Sequence, residues 1–275
     1  MTQLTIRRLL IDLAAPFERR WNGGDAFSSA FFNALSMSFP VGEQFFIDSV
    51  RNMVKAMPPE GQQGFASDQA GFVGQEATHR RIHGLYNQHL VTQGYQNHWE
   101  TRVTERLKRF EGKDLRHPLA VTAANEHFTA IFAEHLLTHG QVLEHAEPRL
   151  RTLWLWHAAE ESEHRSVAFD VYRAAGGTNA WRRRWMFTVT FFFLTDVMRQ
   201  TVTNLAHDGQ LWRWNTWKSG YQFLLGASHG LIRHSFRPWL KYFKADFHPN
   251  QYGGERGEQW LAQNQAQFKP VGQAA

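Results

Sequence analysis

The sequence predicts an all-α protein, a four-helix bundle extended by additional C-terminal helices. Apolar residues recur at helical spacing, and the alternating pattern of strands is almost absent. Strong breakers divide the chain into long stretches: Asn22-Gly23-Gly24-Asp25, Pro58-Pro59-Glu60-Gly61, Gly176-Gly177-Thr178-Asn179 and His207-Asp208-Gly209. One arrangement of carboxylate and imidazole occurs twice between them, Glu43 then Glu76-x-x-His79, and Glu126 then Glu161-x-x-His164. When two helices give one Glu each and two give a Glu-x-x-His pair, the inward-facing groups form the ligand set of a two-metal bundle.

Taken in order, the first helix is expected near 27–57, after Asp25, with a disturbance at Pro40, which has no N–H to donate. The Pro58-Pro59 pair separates it from a second helix near 62–93. Helices near 97–111, 117–145 and 147–175 follow, the last stopped by Gly176-Gly177. Three more are expected near 179–206, 211–225 and 229–243. The organisation read from this is a di-metal bundle over 1–175, basic Trp-rich helices packed on it over 176–248, and an extended or partly disordered tail over 249–275, where Gln and Gly are frequent and apolar periodicity is weak.

With 275 residues and 43% hydrophobic content, the chain can bury a substantial core. It contains no cysteine, which excludes disulfides and thiolate metal sites and leaves carboxylate and imidazole as the strong ligands. The start, Met1-Thr2-Gln3-Leu4-Thr5-Ile6-Arg7-Arg8, lacks the apolar run of a secretory signal, so a cytoplasmic location is expected.

The net charge of +5 is unevenly spread. Residues 1–175 carry 18 basic and 20 acidic side chains, whereas 176–275 carry 12 and 5. The second part also has seven of the eleven tryptophans, beginning with Trp181-Arg182-Arg183-Arg184-Trp185 before the apolar run Met186 to Leu194. That run is too short to span a bilayer and ends at Asp196. The favoured reading is a helix packed on the bundle through Phe187, Phe191, Leu194 and Met198, with its arginines in water. Contact with a membrane surface is the second reading. No nucleic-acid partner is expected, because zinc-finger spacing and basic-aromatic motifs are absent.

Residues three or four apart share a helix face, so Glu76 with His79, and Glu161 with His164, can grip one ion each. Four carboxylates would neutralise two divalent cations in a buried site. A single Glu-x-x-His pair is common by chance on a solvated helix. Two in matched order, flanked by Phe72, Val73 and Leu85 and by Leu155, Val167 and Phe169, are not. The halves differ four residues before each pair, where Phe72 stands in the first and His157 in the second. His157, Glu161 and His164 lie on one face, which makes His157 a seventh ligand or a group bonded to a ligating carboxylate. His83 is a weaker candidate, and Glu160 is the alternative to Glu161. Asp170, Tyr172 and Arg165 are expected to tie helices together, His127 to face away from Glu126, and His248 to dock the tail.

By its ordered set Glu43, Glu76/His79, Glu126 and Glu161/His164, the chain resembles the ferritin-like di-iron carboxylate superfamily over roughly residues 26–175. The segments Phe39-Pro40-Val41-Gly42-Glu43, Gly74-Gln75-Glu76-Ala77-Thr78-His79, Asn125-Glu126-His127-Phe128-Thr129-Ala130, Trp156-His157-Ala158-Ala159-Glu160-Glu161-Ser162-Glu163-His164 and Asp246-Phe247-His248-Pro249 resemble a bacterial family labelled predicted metal-dependent hydrolases. His157 within His-x-x-x-Glu-x-x-His is similar to the ligand set of di-iron arylamine N-oxygenases.

That last resemblance implies terminal carboxylates at Glu43 and Glu126, bridging ones at Glu76 and Glu161, and nitrogen ligands at His79, His157 and His164. The expectation is two metal ions per chain, iron ahead of Mn or Zn, in an O₂-activating oxidase or oxygenase acting on a small hydrophobic substrate with an external electron donor. The alternatives are a metal-dependent hydrolase using a bridging water and a metal storage or sensing protein. A homodimer is compatible with either enzyme, and counts against storage, which usually requires a shell-forming assembly.

Overall fold

Residues 4–271 are described by a computed structural model of the chain. Within them the protein is predominantly helical. Helix α1 (Ala26–Ala56) starts where Asp25 accepts from the Ser28 N–H at 2.7 Å, and it continues through Pro40. The disturbance expected there is thus corrected. Proline cannot bond the Ser36 carbonyl one turn back, and Asn87 Nδ2 donates to that carbonyl instead, at 2.9 Å. Helix α2 (Pro59–Thr92) opens on Pro59 and runs antiparallel to α1, as Tyr86 to Asn33 and Gln62 to Lys55 bonds show.

Helices α3 (His98–Leu107), α4 (Arg116–Thr138), α5 (Pro148–His164) and α6 (Val167–Ala174) follow. Two predicted helices prove shorter. The stretch expected over 117–145 stops at Thr138 and continues as a 3₁₀ turn at Gly140–Leu143, and the one over 147–175 breaks after His164. Helices α7 (Asn179–His207), α8 (Trp214–Leu225) and α9 (Leu231–Lys241) make up the basic part.

The tail is corrected as well. It forms α10 (Glu255–Gln263), which lies on α4 and α5 and buries Leu261, and then strand β2 (Phe268–Pro270), antiparallel to β1 (Arg7–Leu9) in the register Leu9 to Phe268. Its last four residues lie outside the described ones, as do Met1–Gln3 of the start.

Helix α7 packs on α1 and α4, where Met198 of the expected stripe is partly buried against the core but the rest of the contact runs through other residues. Met186, Val189 and Val197 are buried, whereas Phe187 and Phe191 are 59% and 63% exposed and Leu194 is exposed too. Arg182 is buried instead of solvated. Its guanidinium donates to the carbonyls of Tyr242 and Lys244 and lies over the Tyr242 ring, 4.6 Å from its centroid. Among the described residues, no helix is long and apolar enough to cross a membrane.

The apolar core divides into two clusters, and the division positions the site. One cluster takes α1 up to Met37, α2 from Ile82 to Leu90, α4 from Ala133 and α5 up to Ala159. The other takes α1 from Val50, α2 at Phe72, α4 from Leu119 to Ala124 and α6. On each helix the repeated Glu and His positions fall between the two, forming a buried polar layer.

Candidate metal centre

The seven predicted residues converge in that layer. Glu43 on α1, Glu76 and His79 on α2, Glu126 on α4, and His157, Glu161 and His164 on α5 are all buried. Their ligand atoms form overlapping groups within 4.8 Å: Glu43, Glu76 and His79; His79, His157 and Glu161; and Glu76, Glu126, Glu161 and His164. Glu161 Oε1 lies at the middle, 3.3 Å from His79 Nδ1, 3.1 Å from His157 Nε2 and 3.6 Å from His164 Nε2. His164 Nε2 also sits 3.1 Å from Glu76 and 3.4 Å from Glu126. Glu76 and Glu161 are each shared between groups. The end holding His79 and His157 has two imidazoles, and the end holding His164 and Glu126 has one.

Each histidine gives one ring nitrogen to this cluster and has the other held from behind. His79 Nε2 donates to Glu160 Oε2 at 3.0 Å, and His164 Nδ1 to Gln75 Oε1 at 2.9 Å. A neutral ring whose outer nitrogen donates has its lone pair inward, as a ligand must. For His157 the proton position follows from a relay. The Ser36 hydroxyl donates to Asn87 at 2.8 Å, so its oxygen accepts from His83 Nδ1–H at 2.9 Å. His83 Nε2 then accepts from His157 Nδ1–H, also at 2.9 Å, which leaves His157 Nε2 with a lone pair facing the cluster. Asn87, which fixes the relay, is the residue that caps the carbonyl freed by Pro40.

Glu160, the alternative to Glu161, therefore lies outside the cluster, behind His79. His83 lies behind His157, bonded to it and to Ser36, and its ring also comes within 4.8 Å of the ligand atoms of Glu43 and His157 as a fourth overlapping group. Phe72 covers the His164 ring edge-on, 5.1 Å between centroids. His127 faces away and donates to the Pro238 carbonyl, and His248 holds Asp170 at 2.8 Å as a structural tie.

The sequence reading missed Arg7, Gln75 and Glu163. Arg7 makes a two-pronged contact with Glu163, at 2.6 and 3.0 Å, and reaches Glu160 at 3.1 Å, while Gln75 Nε2 donates to Glu163 at 2.8 Å. One arginine on β1 thus steadies the groups behind both His79 and His164. It reaches them because residues 4–6 lie against Gly71 and Gly74 of α2, where a Cβ at Gly71 would come 2.5 Å from that of Leu4. Gln75 and Glu160 were legible as a pattern, since each precedes the Glu of its own Glu-x-x-His pair and backs the histidine of the other. Arg7 had no such signal.

The donor set fits metal cations. Both carboxylate oxygens of Glu43, Glu76 and Glu126 are buried without a hydrogen-bond donor, as is one of Glu161. Such groups need a compensating charge. Burial, reinforced by Glu76, holds the Glu43 carboxyl well above the usual range, and burial does the same for Glu126. Burial favours the neutral His79 ring, but Glu160 and Glu161 outweigh it and push its pKa to about 10. His157, buried and beside His79, is lowered to about 4. Without cations the cluster therefore balances its charge with protons, which divalent ions must displace.

A cavity of about 570 Å³ opens beside the centre, between α1, α3, α4 and α7. Glu43, His157 and Glu161 line it, together with an aromatic wall that includes Phe39, Phe45, Trp99, Phe110, Trp185 and Phe193. Its size is that of a small-molecule site.

Fold and site together define a helical protein with a buried carboxylate–histidine cluster suited to metal ions. Residues 5–253 match the family model described as predicted metal-dependent hydrolase, and the chain belongs to that family. No curated protein and no solved structure matches it.

Proposed function

We propose that the protein is an enzyme with a ferritin-like bundle whose centre binds two metal ions through Glu43, Glu76, His79, Glu126, His157, Glu161 and His164, and that it hydrolyses a small hydrophobic substrate admitted through the adjoining cavity. One observation carries the reading: three backed imidazoles aim a ring nitrogen each into a set of buried carboxylates, most of whose oxygens have no hydrogen-bond donor, at the floor of that cavity. Membership of the hydrolase family favours hydrolysis as the reaction. Bound there, a metal pair supplies Lewis acidity to water and to a carbonyl or phosphoryl oxygen, or, when redox-active, electrons to O₂.

The chain's own contribution is positional. Glu160, Gln75 and the Ser36–His83 relay orient the imidazoles, and the aromatic wall excludes bulk water and gives an apolar substrate its place. Glu43, His157 and Glu161 face the cavity, so the reacting group of a substrate meets the nitrogen-rich end of the cluster.

A second reading, an O₂-activating di-iron oxidoreductase with an external reductant, is favoured by the paired Glu-x-x-His positions and the apolar cavity. Metal analysis followed by an ester and phosphoester panel tests the first reading. Anaerobic reduction of iron-loaded protein and a spectrum on mixing with O₂ tests the second. Zinc-supported turnover with no optical change establishes hydrolysis, and an oxygen-dependent spectral change without hydrolytic turnover replaces it with oxidation. The exposed Phe187, Phe191 and Leu194, on the part of the chain with the basic surplus, further suit contact with an anionic membrane surface. Absence of co-sedimentation with anionic vesicles at low salt would remove that contact.

A further inference from the structure

We propose that the substrate is an amphipathic anion, an apolar chain with a carboxylate or phosphate head at one end and a hydrolysable carbonyl or phosphoryl group towards the other, bound with its charged head at the cavity mouth and its hydrolysable group at Glu43, His157 and Glu161. This rests on the reading of the carboxylate–histidine cluster as the reacting centre.

The wall and the mouth of the cavity differ in chemistry. The wall is aromatic and aliphatic, and its few polar groups are already engaged. Asp196 is buried and bonded to Arg102 and Arg106, each at 2.6 Å, and His117 accepts from the Trp185 indole at 3.1 Å. Arg109, Lys113 and Arg184 also line the cavity, yet all three are exposed, and among the described residues none has a carboxylate within ion-pair distance. The nearby acidic Asp114 is taken by Arg116 at 2.6 Å. Three unpaired cations therefore gather where the cavity opens, and the acidic side chains of the lining other than Asp196, which are Glu43 and Glu161, are buried in the cluster and form no ion pair with them.

The layout separates head from reacting end. Arg109 and Lys113 lie in the connection from α3 to α4, and Arg184 sits in the first turns of α7, beside the Trp185 that bonds His117 at the start of α4. Asn125, which lines the inner part, immediately precedes Glu126. From His117 to Asn125 is eight residues of α4, or roughly 12 Å along the helix axis. A head held at the mouth thus leaves a chain to cross an aromatic passage before its far end meets the cluster. A neutral apolar molecule would use the wall and leave the cations idle. A cationic amphiphile would be repelled at the mouth.

Binding is read without turnover, on full-length protein both metal-free and zinc-loaded, by calorimetry and by the change in total tryptophan fluorescence, to which Trp99 and Trp185 of the cavity wall contribute. The probes are decanoate, decyl phosphate, decanol and decyltrimethylammonium. Three exposed ion pairs predict an anion preference on the order of tenfold over decanol, equal in both metal states. The better-bound of decanoate and decyl phosphate identifies the head. In the triple variant Arg109→Gln, Lys113→Gln, Arg184→Gln the preference should fall to about one, with decanol affinity and zinc content unchanged. Equal binding of decanol and the anions overturns the proposal, as does a preference that survives in the triple variant. So does one present only with zinc, which would place the head on the metals. Zinc content measured on the same samples reports separately on the metal-centre reading, so a native protein that takes up zinc in full but shows no anion preference condemns this inference alone.

Discussion

Replacing Glu160 by alanine should weaken metal binding without unfolding the protein. Glu160 is fully buried, accepts from His79 Nε2 at 3.0 Å and meets Arg7 at 3.1 Å. Its loss strands a buried imidazole N–H, at a cost of about 1–3 kcal/mol, and frees the ring to turn away. Because each 1.4 kcal/mol is a factor of ten, the affinity at the His79 end should fall roughly 10–100-fold, the range found when groups behind metal-bound histidines are removed. Arg7 retains Glu163, so β1 stays attached and the loss is local. Competition of metal-free protein against a chromophoric chelator measures the affinity, with circular dichroism as the folding control. Glu160→Gln keeps an acceptor and should recover part of the loss. Wild-type affinity for both ions in a folded Glu160→Ala protein would refute the role given to the group behind His79.

His157→Phe, which copies the residue at the mirror position Phe72, should lower metal affinity at the nitrogen-rich end and alter the spectrum of a cobalt-substituted centre. Unchanged metal content and spectrum would defeat the claim that His157 is a ligand. Burial, opposed by the bond to Pro238, holds the His127 pKa at about 4, so the native ring is neutral where the unfolded one binds a proton. Stability from this group is complete above about pH 6.5 and declines as pH falls towards 4, by on the order of 3 kcal/mol in full. Denaturation midpoints against pH should be flatter over that window in His127→Phe. Arg182→Ala removes two buried carbonyl partners and the packing on Tyr242, and should cost about 3–5 kcal/mol in urea unfolding, whereas a loss below about 1 kcal/mol would mean the arginine is dispensable.

The centre was legible because its chemistry is local in sequence. Glu76 with His79, and His157, Glu161 and His164, are faces of single helices, and helical spacing alone predicts that each set points one way. What escaped depends on distant pairings. Nothing near Arg7 indicates that it reaches Glu160 and Glu163, more than 150 residues on, and only the approach of residues 4–6 to Gly71 and Gly74 puts it there. Pro40 read as a disturbance because its compensating donor, Asn87, is on another helix. The α7 stripe was misread because its run is apolar on most faces, so periodicity could not say whether Phe187 or Met186 turns inward. In the tail, Leu261 is the buried apolar residue of α10, too sparse a signal to show against Gln and Gly.

The most direct test is the metal content of the protein and where it resides. Protein supplied with iron, manganese or zinc should bind two ions per chain, and the combined variant Glu76→Ala, Glu161→Ala, which removes the two shared carboxylates, should bind neither while keeping its helical spectrum. Two ions in the native protein and none in a folded double variant is the predicted result. A native protein that takes up no divalent metal, or a folded double variant that still holds both ions, would contradict it.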